Sequence, residues 1–522
     1  MKVIQSQEVP ALLRSGNTVA VGGFGAYCCP DELLSALETA HAQKGTPDNF
    51  TFVTGIGTGN NTDADIGINR LKGEGLVGTM IAAHLANCPV IGRMVGDNRF
   101  PAFVLPLGVV ARLMAAIASG EPGVLTHVGK GTFADPKEEA CCANQKARES
   151  GRTIVETVNI GGKDELFYPA FPVDAALIRA TYADEDGNLS FTHEALTGLE
   201  MEMAMAAHNS GGIVIAQVEK IVARGSLKPK DVRIHRSVVD YVVVADPVNH
   251  RQSYATDVYR AELSGEVRVP THAIETLPLD VRKVIARRGA MELQPGMVIN
   301  LGIGIPSGVG SVANEEGIQD ITMSLESGPI GGVPVAGVGF AAAVNSESIA
   351  SLGDTFYLYD GGGLDMTCLG AAEIDEKGNV NVSSFNGRCT GPGGFINISQ
   401  STPKVCFMFA FTAGKTEIHP SEGCLHILQD GKGVKFVPHV QQITFSADYA
   451  RQTGQEVLYI TERCVFRLDE KGLLLTEVAP GVDIQRDILD KMSFLPRVSP
   501  ELKIMDTRIF CAQPMGLYQE TR

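Results

Sequence analysis

The 522-residue sequence contains no tryptophan, no Cys-x-x-Cys motif and no long unbroken apolar run. Its most apolar window, residues 102–120, is interrupted by Pro106 and Arg112, which argues against a bilayer-spanning helix. The first residues, MKVIQSQEVPALLRSG, lack the apolar core and small-residue cleavage site of a secretory signal. We therefore expect a cytoplasmic protein with no membrane partner.

Positive charge is also scarce. The chain has 44 Lys and Arg residues against 60 Asp and Glu residues, a formal net charge of −16. Surfaces that bind nucleic acid or anionic membranes need clustered cations, so the charge balance argues against both classes of partner. An anionic ligand would have to use a locally positive pocket or free backbone N–H groups.

The cysteine pattern fits neither a disulfide framework nor a zinc site. There are eleven cysteines, an odd number, and they include the adjacent pairs Cys28/Cys29 and Cys141/Cys142. Structural zinc sites space their ligands differently, and small secreted domains carry even numbers of paired cysteines. We predict reduced thiols that fill the core or the surface, and no metal site.

The chain is rich instead in glycine, with 58 residues, and in short Val/Ile/Phe runs that alternate with helical patterns. Continuous apolar runs of this length are typical of strands buried on both faces, as in parallel sheets covered by helices. The clearest strand candidates are residues 211–222, 237–247, 297–304, 320–326 and 404–414. The predicted fold class is α/β with largely parallel sheets.

Two segments resemble each other and indicate two related halves. Gly16 and Gly22 precede Gly296 and Gly302 by 280 positions, and each pair flanks a short β-rich run that leads into a glycine bend and a helix. The turn DEDGN at 184–188 is echoed by DEKGN at 375–379. We predict two open α/β domains, residues 1–265 and 279–522, joined by a Pro-containing linker at about 265–278.

A lone carboxylate, Glu326, ends the apolar run TMSLE and is followed by the turn SGPIGG. Ligands of α/β proteins bind at the carboxyl ends of sheet strands, where this residue is expected. It could cap a surface turn, or act as a general base, or attack an activated acyl group such as a thioester. Glycine clusters at 359–370 and 389–399 could present N–H groups to a developing oxyanion.

The same stretch also resembles a dinucleotide-binding pattern. Gly302-x-Gly304 follows a strand, and an acidic residue comes some 20 positions later, as contact with a ribose hydroxyl requires. Pro306 and Ser307 stand where the third glycine is expected, which weakens this alternative, and a ribose-binding acid needs no tight turn after it. The residue spacing alone therefore does not exclude a dinucleotide-dependent oxidoreductase.

Several separated motifs, taken together, resemble family I CoA-transferases over nearly the whole chain. They occur in the family's order and are VAVGGFGAYCCPDEL (19–33), VINLGIGIPSGVG (298–310), GGGLDMTCLGAAEIDEKGNVNV (361–382), GPGGFINIS (391–399) and YITERCVFRL (459–468). The sequence is most similar to fused bacterial enzymes that use acetyl-CoA and propionyl-CoA. The resemblance implies an α-subunit-like first domain and a β-subunit-like second domain that carries Glu326.

The resemblance also implies roles for single residues. Glu326 would be the catalytic nucleophile that forms a glutamyl-CoA thioester, and Gly394 would supply the oxyanion-hole amide. The residues expected against CoA are Gly302, Ile303, Gly304, Ile305 and Gly393. One departure is Leu107, which stands where the family commonly has glutamine near the acyl site.

The expected reaction is reversible CoA transfer between acyl-CoA and short-chain carboxylic acids such as acetate and propionate. CoA is then substrate and covalent intermediate, with no permanently bound cofactor and no metal. The resemblance implies a homo-oligomer, with a tetramer as one option. The alternatives are an acyl-CoA hydrolase on the same scaffold, a dinucleotide-dependent oxidoreductase, and a non-catalytic regulatory module.

Overall fold

The structure is a computed structural model that describes residues 1–270, 276–385 and 387–517. The first half of the chain alternates strands with helices. Its strands are β1 (Lys2–Val3), β2 (Thr18–Val21), β3 (Phe50–Ile56), β4 (Val77–His84), β5 (Ala102–Val104), β6 (Gly123–Thr126), β7 (Glu156–Ile160), β8 (Lys163–Pro169), β9 (Ala175–Asp184), β10 (Leu189–Ser190), β11 (Ile213–Val222), β12 (Val232–Ile234) and β13 (Tyr241–Val244). Its helices are α1 (Val9–Leu12), α2 (Asp31–Lys44), α3 (Pro89–Gly96), α4 (Leu107–Ser119), α5 (Gln145–Glu149) and α6 (Glu200–Asn209).

The second half has more and shorter strands. They are β14 (Met297–Leu301), β15 (Ile321–Ser324), β16 (Pro329–Ile330), β17 (Val333–Pro334), β18 (Ala343–Val344), β19 (Ser348–Ile349), β20 (Met366–Leu369), β21 (Glu373–Ile374), β22 (Val380–Asn381), β23 (Ser384–Phe385), β24 (Arg388–Cys389), β25 (Lys404–Met408), β26 (Thr412–Ala413), β27 (Glu417–Ser421), β28 (Cys424–Gln429), β29 (Gly433–Val434), β30 (Glu456–Ile460), β31 (Cys464–Asp469), β32 (Gly472–Val478) and β33 (Arg497–Ile504). Its helices are α7 (Val281–Ala290), α8 (Gly308–Glu316), α9 (Leu352–Asp360), α10 (Phe395–Ser401) and α11 (Ala447–Thr453).

Each half is built on one large sheet. The first has the order β1-β13-β11-β9-β2-β3-β4-β5, parallel throughout, with β10 and β12 attached antiparallel at one side. The second has the order β19-β16-β15-β14-β20-β25-β30-β31-β32-β33 and is parallel from β15 to β30. Antiparallel pairs extend it through β16 and β19 at one end and through β31 and β32 at the other, where β33 then pairs parallel to β32. The predicted α/β class with largely parallel sheets is confirmed.

The two sheets place equivalent strands at equivalent positions. In the first, β2 lies between β9 and β3; in the second, β14 lies between β20 and β15. Gly22 N–H donates to the Leu177 carbonyl at 2.9 Å, and Gly302 N–H, 280 positions later, donates to the Cys368 carbonyl at 2.8 Å. The halves are therefore related in architecture, as the sequence predicts.

The repeated Asp-x-x-Gly-Asn turn has the same hydrogen bonding in both halves. Asn188 Nδ2 donates to Asp184 Oδ2 at 2.9 Å, and Asn379 Nδ2 donates to Asp375 Oδ2 at 3.0 Å. In each case the aspartate also accepts the backbone N–H of the asparagine at 2.9 Å. This arrangement closes a tight turn between two strands, the role that the sequence pattern predicts.

The structure bears on three further expectations. The two large sheets occupy residues 2–244 and 297–504, and α7 begins at Val281. Part of the predicted linker at 265–278 lies outside the described residues, so the exact domain boundaries stay a prediction. All eleven cysteines have free thiols, nine of them buried. Throughout the described ranges, every helix is too short or too polar to cross a bilayer.

Candidate active site

Glu326 lies two residues beyond β15, in a turn that reverses the chain. Leu325 N–H donates to the Pro329 carbonyl at 2.9 Å, and Gly328 N–H donates to the Leu325 carbonyl at 3.1 Å. Gly328 has a φ of +122°, and a Cβ there would lie 2.2 Å from the Ala350 carbonyl oxygen, so only glycine fits. The tight turn predicted from the sequence holds the carboxylate at the carboxyl end of a central strand.

The carboxylate faces a cavity of about 490 Å³ that both halves enclose. The first half contributes Phe24, Gly25, Ile56, Asn61, His84, Ala86 and Asn87. The second contributes Asn300, Leu301, Gly302, Ile303, Glu326, Gly337, Val338, Phe340, Leu369, Gly370, Val382, Gly391, Pro392, Gly393, Phe395 and Ile398. The lining is mostly apolar, so a charged group inside it is poorly hydrated and depends on a few polar contacts.

Gly394 supplies the polar contact to the carboxylate. Its backbone N–H donates to Glu326 Oε2 at 3.0 Å. A Cβ on Gly394 would lie 2.1 Å from that oxygen and 2.8 Å from Phe356 Cζ, so the close approach of backbone and carboxylate requires the absence of a side chain. The neighbouring Gly393 has a φ of +54°, in the left-handed region that favours glycine.

Burial dominates the electrostatics of Glu326. It raises the pKa of the carboxyl to about 7, and the hydrogen bond from Gly394 N–H opposes this shift. A carboxyl with this pKa is ionised in about half of the molecules at neutral pH. Desolvation also raises the energy of the ionised form, which makes the carboxylate a better nucleophile than one in water.

The Gly393–Gly394 peptide is held from the first half of the chain. Leu107 N–H, at the start of α4, donates to the Gly393 carbonyl at 2.9 Å. The Leu107 side chain is fully buried and is not among the residues that line the cavity. Leu107 therefore contacts the site through its backbone, and its side chain packs in the core.

Most of the site residues predicted from the sequence lie at the same cavity. Glu326, Gly302, Ile303 and Gly393 line the same cavity, and Gly394 contacts the carboxylate. Gly304 and Ile305 follow on the same loop but are not among the lining residues. Gly304 is exposed with a φ of +84°, and its carbonyl accepts Ser307 Oγ at 2.8 Å, a bond that shapes the loop before α8.

Sequence reasoning missed the wall from the first half, and His84 above all. This residue ends β4, and its Nδ1 lies 3.1 Å from the Gly391 carbonyl, so Nδ1 carries the proton and donates it. Burial lowers the pKa of His84, while the bond to Gly391 opposes that shift. The short apolar run at residues 80–83, which directly precedes His84, is the signal that could have identified it as a polar residue at the end of a strand.

Comparison with known proteins gives consistent matches. The model of the coenzyme A transferase family matches residues 4–245. Caffeate CoA-transferase of Acetobacterium woodii is 43% identical over 522 residues, covering 99% of this chain and 98% of that protein. Acetate CoA-transferase YdiF of Escherichia coli K12 is 40% identical over 516 residues, covering 98% and 96%. The solved acyl-CoA transferase YdiF of E. coli O157:H7, in a thioester complex with CoA, superposes with a TM-score of 0.91 at 39% identity, covering 98% of this chain and 97% of that one.

Proposed function

Because the chain belongs to the coenzyme A transferase family, we propose that it transfers CoA between a short-chain acyl-CoA and a free carboxylic acid through a glutamyl-CoA thioester at Glu326. Acetyl-CoA and propionyl-CoA are the proposed donors. The observation that carries the proposal is the contact between Gly394 N–H and the Glu326 carboxylate in an apolar cavity. A lone ionisable carboxylate beside a backbone donor fits nucleophilic attack on a thioester.

The first half-reaction converts the donor acyl-CoA into a free acid. A Glu326 carboxylate oxygen attacks the acyl carbonyl carbon and forms a tetrahedral adduct; the C–S bond then breaks, CoA leaves as thiolate, and an acyl-glutamyl anhydride remains. The thiolate then attacks the glutamyl carbonyl carbon, and the bond between that carbon and the bridging oxygen breaks, so that the oxygen leaves with the acyl group. The products are the free carboxylate and glutamyl-CoA, so the thioester bond is conserved throughout.

The second half-reaction runs through the same steps in reverse with another acid. The acceptor carboxylate attacks glutamyl-CoA and expels the thiolate, and the thiolate then attacks the acceptor's acyl carbon. Glu326 is restored as a carboxylate. Each tetrahedral intermediate carries negative charge on an oxygen, and a positioned N–H such as that of Gly394 stabilises this charge more than it stabilises the ground state.

The cavity lining supports an apolar monocarboxylic acid as substrate. Among the described residues that line it there is no Lys or Arg, so a second carboxylate on the acid would find no cation to pair with. Phe24, Ile56, Phe340 and Val382 offer apolar contacts instead. The glycine loop at Gly302 and Ile303 is the proposed contact for CoA, with Gly304 and Ile305 continuing it outside the cavity.

Aromatic acids are the second candidate class of acceptor. The observation that favours them is the similarity to the caffeate enzyme, together with a cavity of about 490 Å³, which exceeds what acetate or propionate fills. The remaining parts of the proposal are a cytoplasmic homo-oligomer with domains at 1–265 and 279–522 and no permanently bound cofactor.

The experiment that tests the proposal incubates the protein with propionyl-CoA and measures the intact mass and the peptide that contains Glu326. We expect a CoA-sized mass increase on that peptide, absent in Glu326→Gln, which keeps the shape but removes the charge. An unmodified wild-type peptide would contradict the covalent route. A panel of acetate, butyrate, succinate and cinnamate as acceptors ranks the acid classes, and propionyl-CoA loss that ignores added acid would favour a hydrolase.

A further inference from the structure

We propose that Asn397 and Asp360 are positioning residues that hold the Gly393–Gly394 peptide in the orientation from which it donates to Glu326. The inference rests on the proposed function, because it assigns a role in the covalent step at Glu326. Neither side chain lines the cavity, so neither is placed to touch a substrate. Their effect would be transmitted through the backbone that they hold.

A single peptide unit connects the nucleophile to helix α4. The carbonyl of Gly393 and the N–H of Gly394 belong to the same planar group. The carbonyl accepts Leu107 N–H at 2.9 Å, and the N–H donates to Glu326 Oε2 at 3.0 Å. Any rotation or shift of this plane relative to α4 therefore changes the direction of the N–H that faces the carboxylate.

Asn397 fixes the position of α10 relative to α4. It is fully buried on α10, three residues after Gly394. Its Oδ1 accepts Gly108 N–H at 3.0 Å, one residue after the N–H that holds Gly393. The first two N–H groups of α4 thus both bond to the segment that carries the donor peptide, and Asn397 provides one of these two attachments.

The other end of the Asn397 amide is fixed by Asp360, the last residue of α9. Asn397 Nδ2 lies 2.9 Å from Asp360 Oδ1 and 3.1 Å from Oδ2. Burial raises the pKa of Asp360 to about 6, so the carboxyl is largely ionised at neutral pH and attracts an N–H donor. Because a carboxylate only accepts, the amide can point just one way, with Oδ1 toward Gly108.

The packing around this contact leaves little room for adjustment. A Cβ on Gly108 would lie 2.4 Å from Asn397 Nδ2 and 2.6 Å from Phe356 Cδ1. Phe356 also packs against Gly394, where a Cβ would lie 2.8 Å from its Cζ. A side chain at 397 with the wrong hydrogen-bonding pattern would therefore push α10 and α4 apart, and the Gly394 donor would move with α10.

The test uses Asn397→Asp, which keeps the shape of the side chain and the acceptor for Gly108 N–H but places a second carboxylate next to that of Asp360. We expect kcat to fall by about 10- to 100-fold, in line with the effect of a 1 Å misplacement, while the KM values stay within about threefold because no cavity wall changes. The double variant Asn397→Asp/Asp360→Asn exchanges the two groups, so that position 360 donates and position 397 accepts. We expect it to recover kcat to within about threefold of wild type.

A purely structural role would not give this pattern. If Asn397→Asp leaves kcat unchanged, or lowers kcat and raises KM together without recovery in the double variant, the inference is wrong. If Asn397→Asp does not fold, Asp360→Asn is measured instead, because asparagine at position 360 retains one acceptor oxygen for Asn397. We expect a several-fold lower kcat at constant KM. A wild-type kcat in this variant would overturn the inference.

The proposed function is tested separately within the same set of samples. CoA labelling of the wild-type Glu326 peptide by propionyl-CoA reports on the covalent route alone. An unlabelled wild-type peptide would mean that the proposed function fails. A labelled wild type, combined with Asn397→Asp forming the thioester at the wild-type rate, would mean that only the positioning role fails.

Discussion

Replacement of Gly394 by alanine is the sharpest single perturbation of the site. The backbone at Gly394 has φ −81° and ψ −2°, which alanine adopts without strain, so the effect of the substitution is steric. The added Cβ would lie 2.1 Å from Glu326 Oε2, whereas real Cβ contacts are essentially never shorter than 3.0 Å. The carboxylate or the peptide must therefore move by about 1 Å, which breaks the 3.0 Å hydrogen bond.

The magnitude follows from the lost donor. Removal of one oxyanion-hole hydrogen bond costs about 3–4 kcal/mol of transition-state stabilisation, or about 10²–10³ in kcat. We expect Gly394→Ala to lose kcat by this factor in a coupled assay of propionyl-CoA and acetate exchange. Glu326 stays within the cavity, so the CoA label on its peptide should still form, but at a correspondingly lower rate in rapid-quench measurements.

Gly393→Ala is the matched control for this substitution. A Cβ on Gly393 meets nothing closer than 3.6 Å, the distance to Ile56 Cδ1, but its φ of +54° costs an alanine about 1–2 kcal/mol of folding stability. We expect a lower melting temperature with a much smaller loss of kcat. Wild-type exchange in Gly394→Ala, or equal losses of kcat in both variants, would refute the assignment of the Gly394 N–H as the donor.

Two further predictions concern pH and stability. In the proposed mechanism the ionised carboxylate is the nucleophile. Since burial raises the pKa of Glu326 to about 7, kcat/KM should rise with pH through 7, and its value at pH 6 should be about one tenth of its plateau. A profile flat from pH 6 to 8 would contradict this. Arg463 is fully buried and forms ion pairs with Glu462 at 2.9 Å and with Asp430 at 3.0 Å. Because Arg463→Met would leave these carboxylates without their cation, it should lower the free energy of unfolding by about 3–5 kcal/mol in urea titrations. An unchanged urea midpoint would contradict this.

Much of the fold follows from local sequence. The continuous apolar runs at 297–304 and 404–414 become β14 and β25, because strands buried on both faces need apolar residues at every position. Likewise, an acid at the end of such a run, followed by a glycine turn, is expected at the ligand-binding edge of the sheet, and Glu326 does line the cavity. The sequence alone left a surface-turn cap as the alternative.

The remainder of the site depends on contacts that local patterns do not encode. Leu107 and Gly393 are 286 positions apart, yet their backbone hydrogen bond fixes the donor peptide. The His84 contact to Gly391 spans 307 positions. Neither pair leaves a periodic signal, because each depends on how the two halves dock. In the glycine loop, Gly302 and Ile303 line the cavity, while the predicted contact of the whole loop with CoA stays a prediction.

The relation between the halves explains why the site is asymmetric. In the first sheet Val19 and Ala20 pair with Phe52 and Val53. In the second sheet the residues 280 positions later, Ile299 and Asn300, pair with Met323 and Ser324. Continuing along both strands places Gly55 at the position equivalent to Glu326.

A side chain at Gly55 has little space, since its Cβ would lie 3.1 Å from Leu107 Cδ1 and 3.6 Å from Leu199 Cδ1. Leu107 thus packs against the position where the first half would carry a carboxylate of its own. What the first half gives instead is the Leu107 N–H and one wall of the cavity, while the second half gives Glu326 and the Gly394 N–H. Because the Gly393–Gly394 peptide is held from one half and contacts the carboxylate in the other, the proposed mechanism requires both halves docked together.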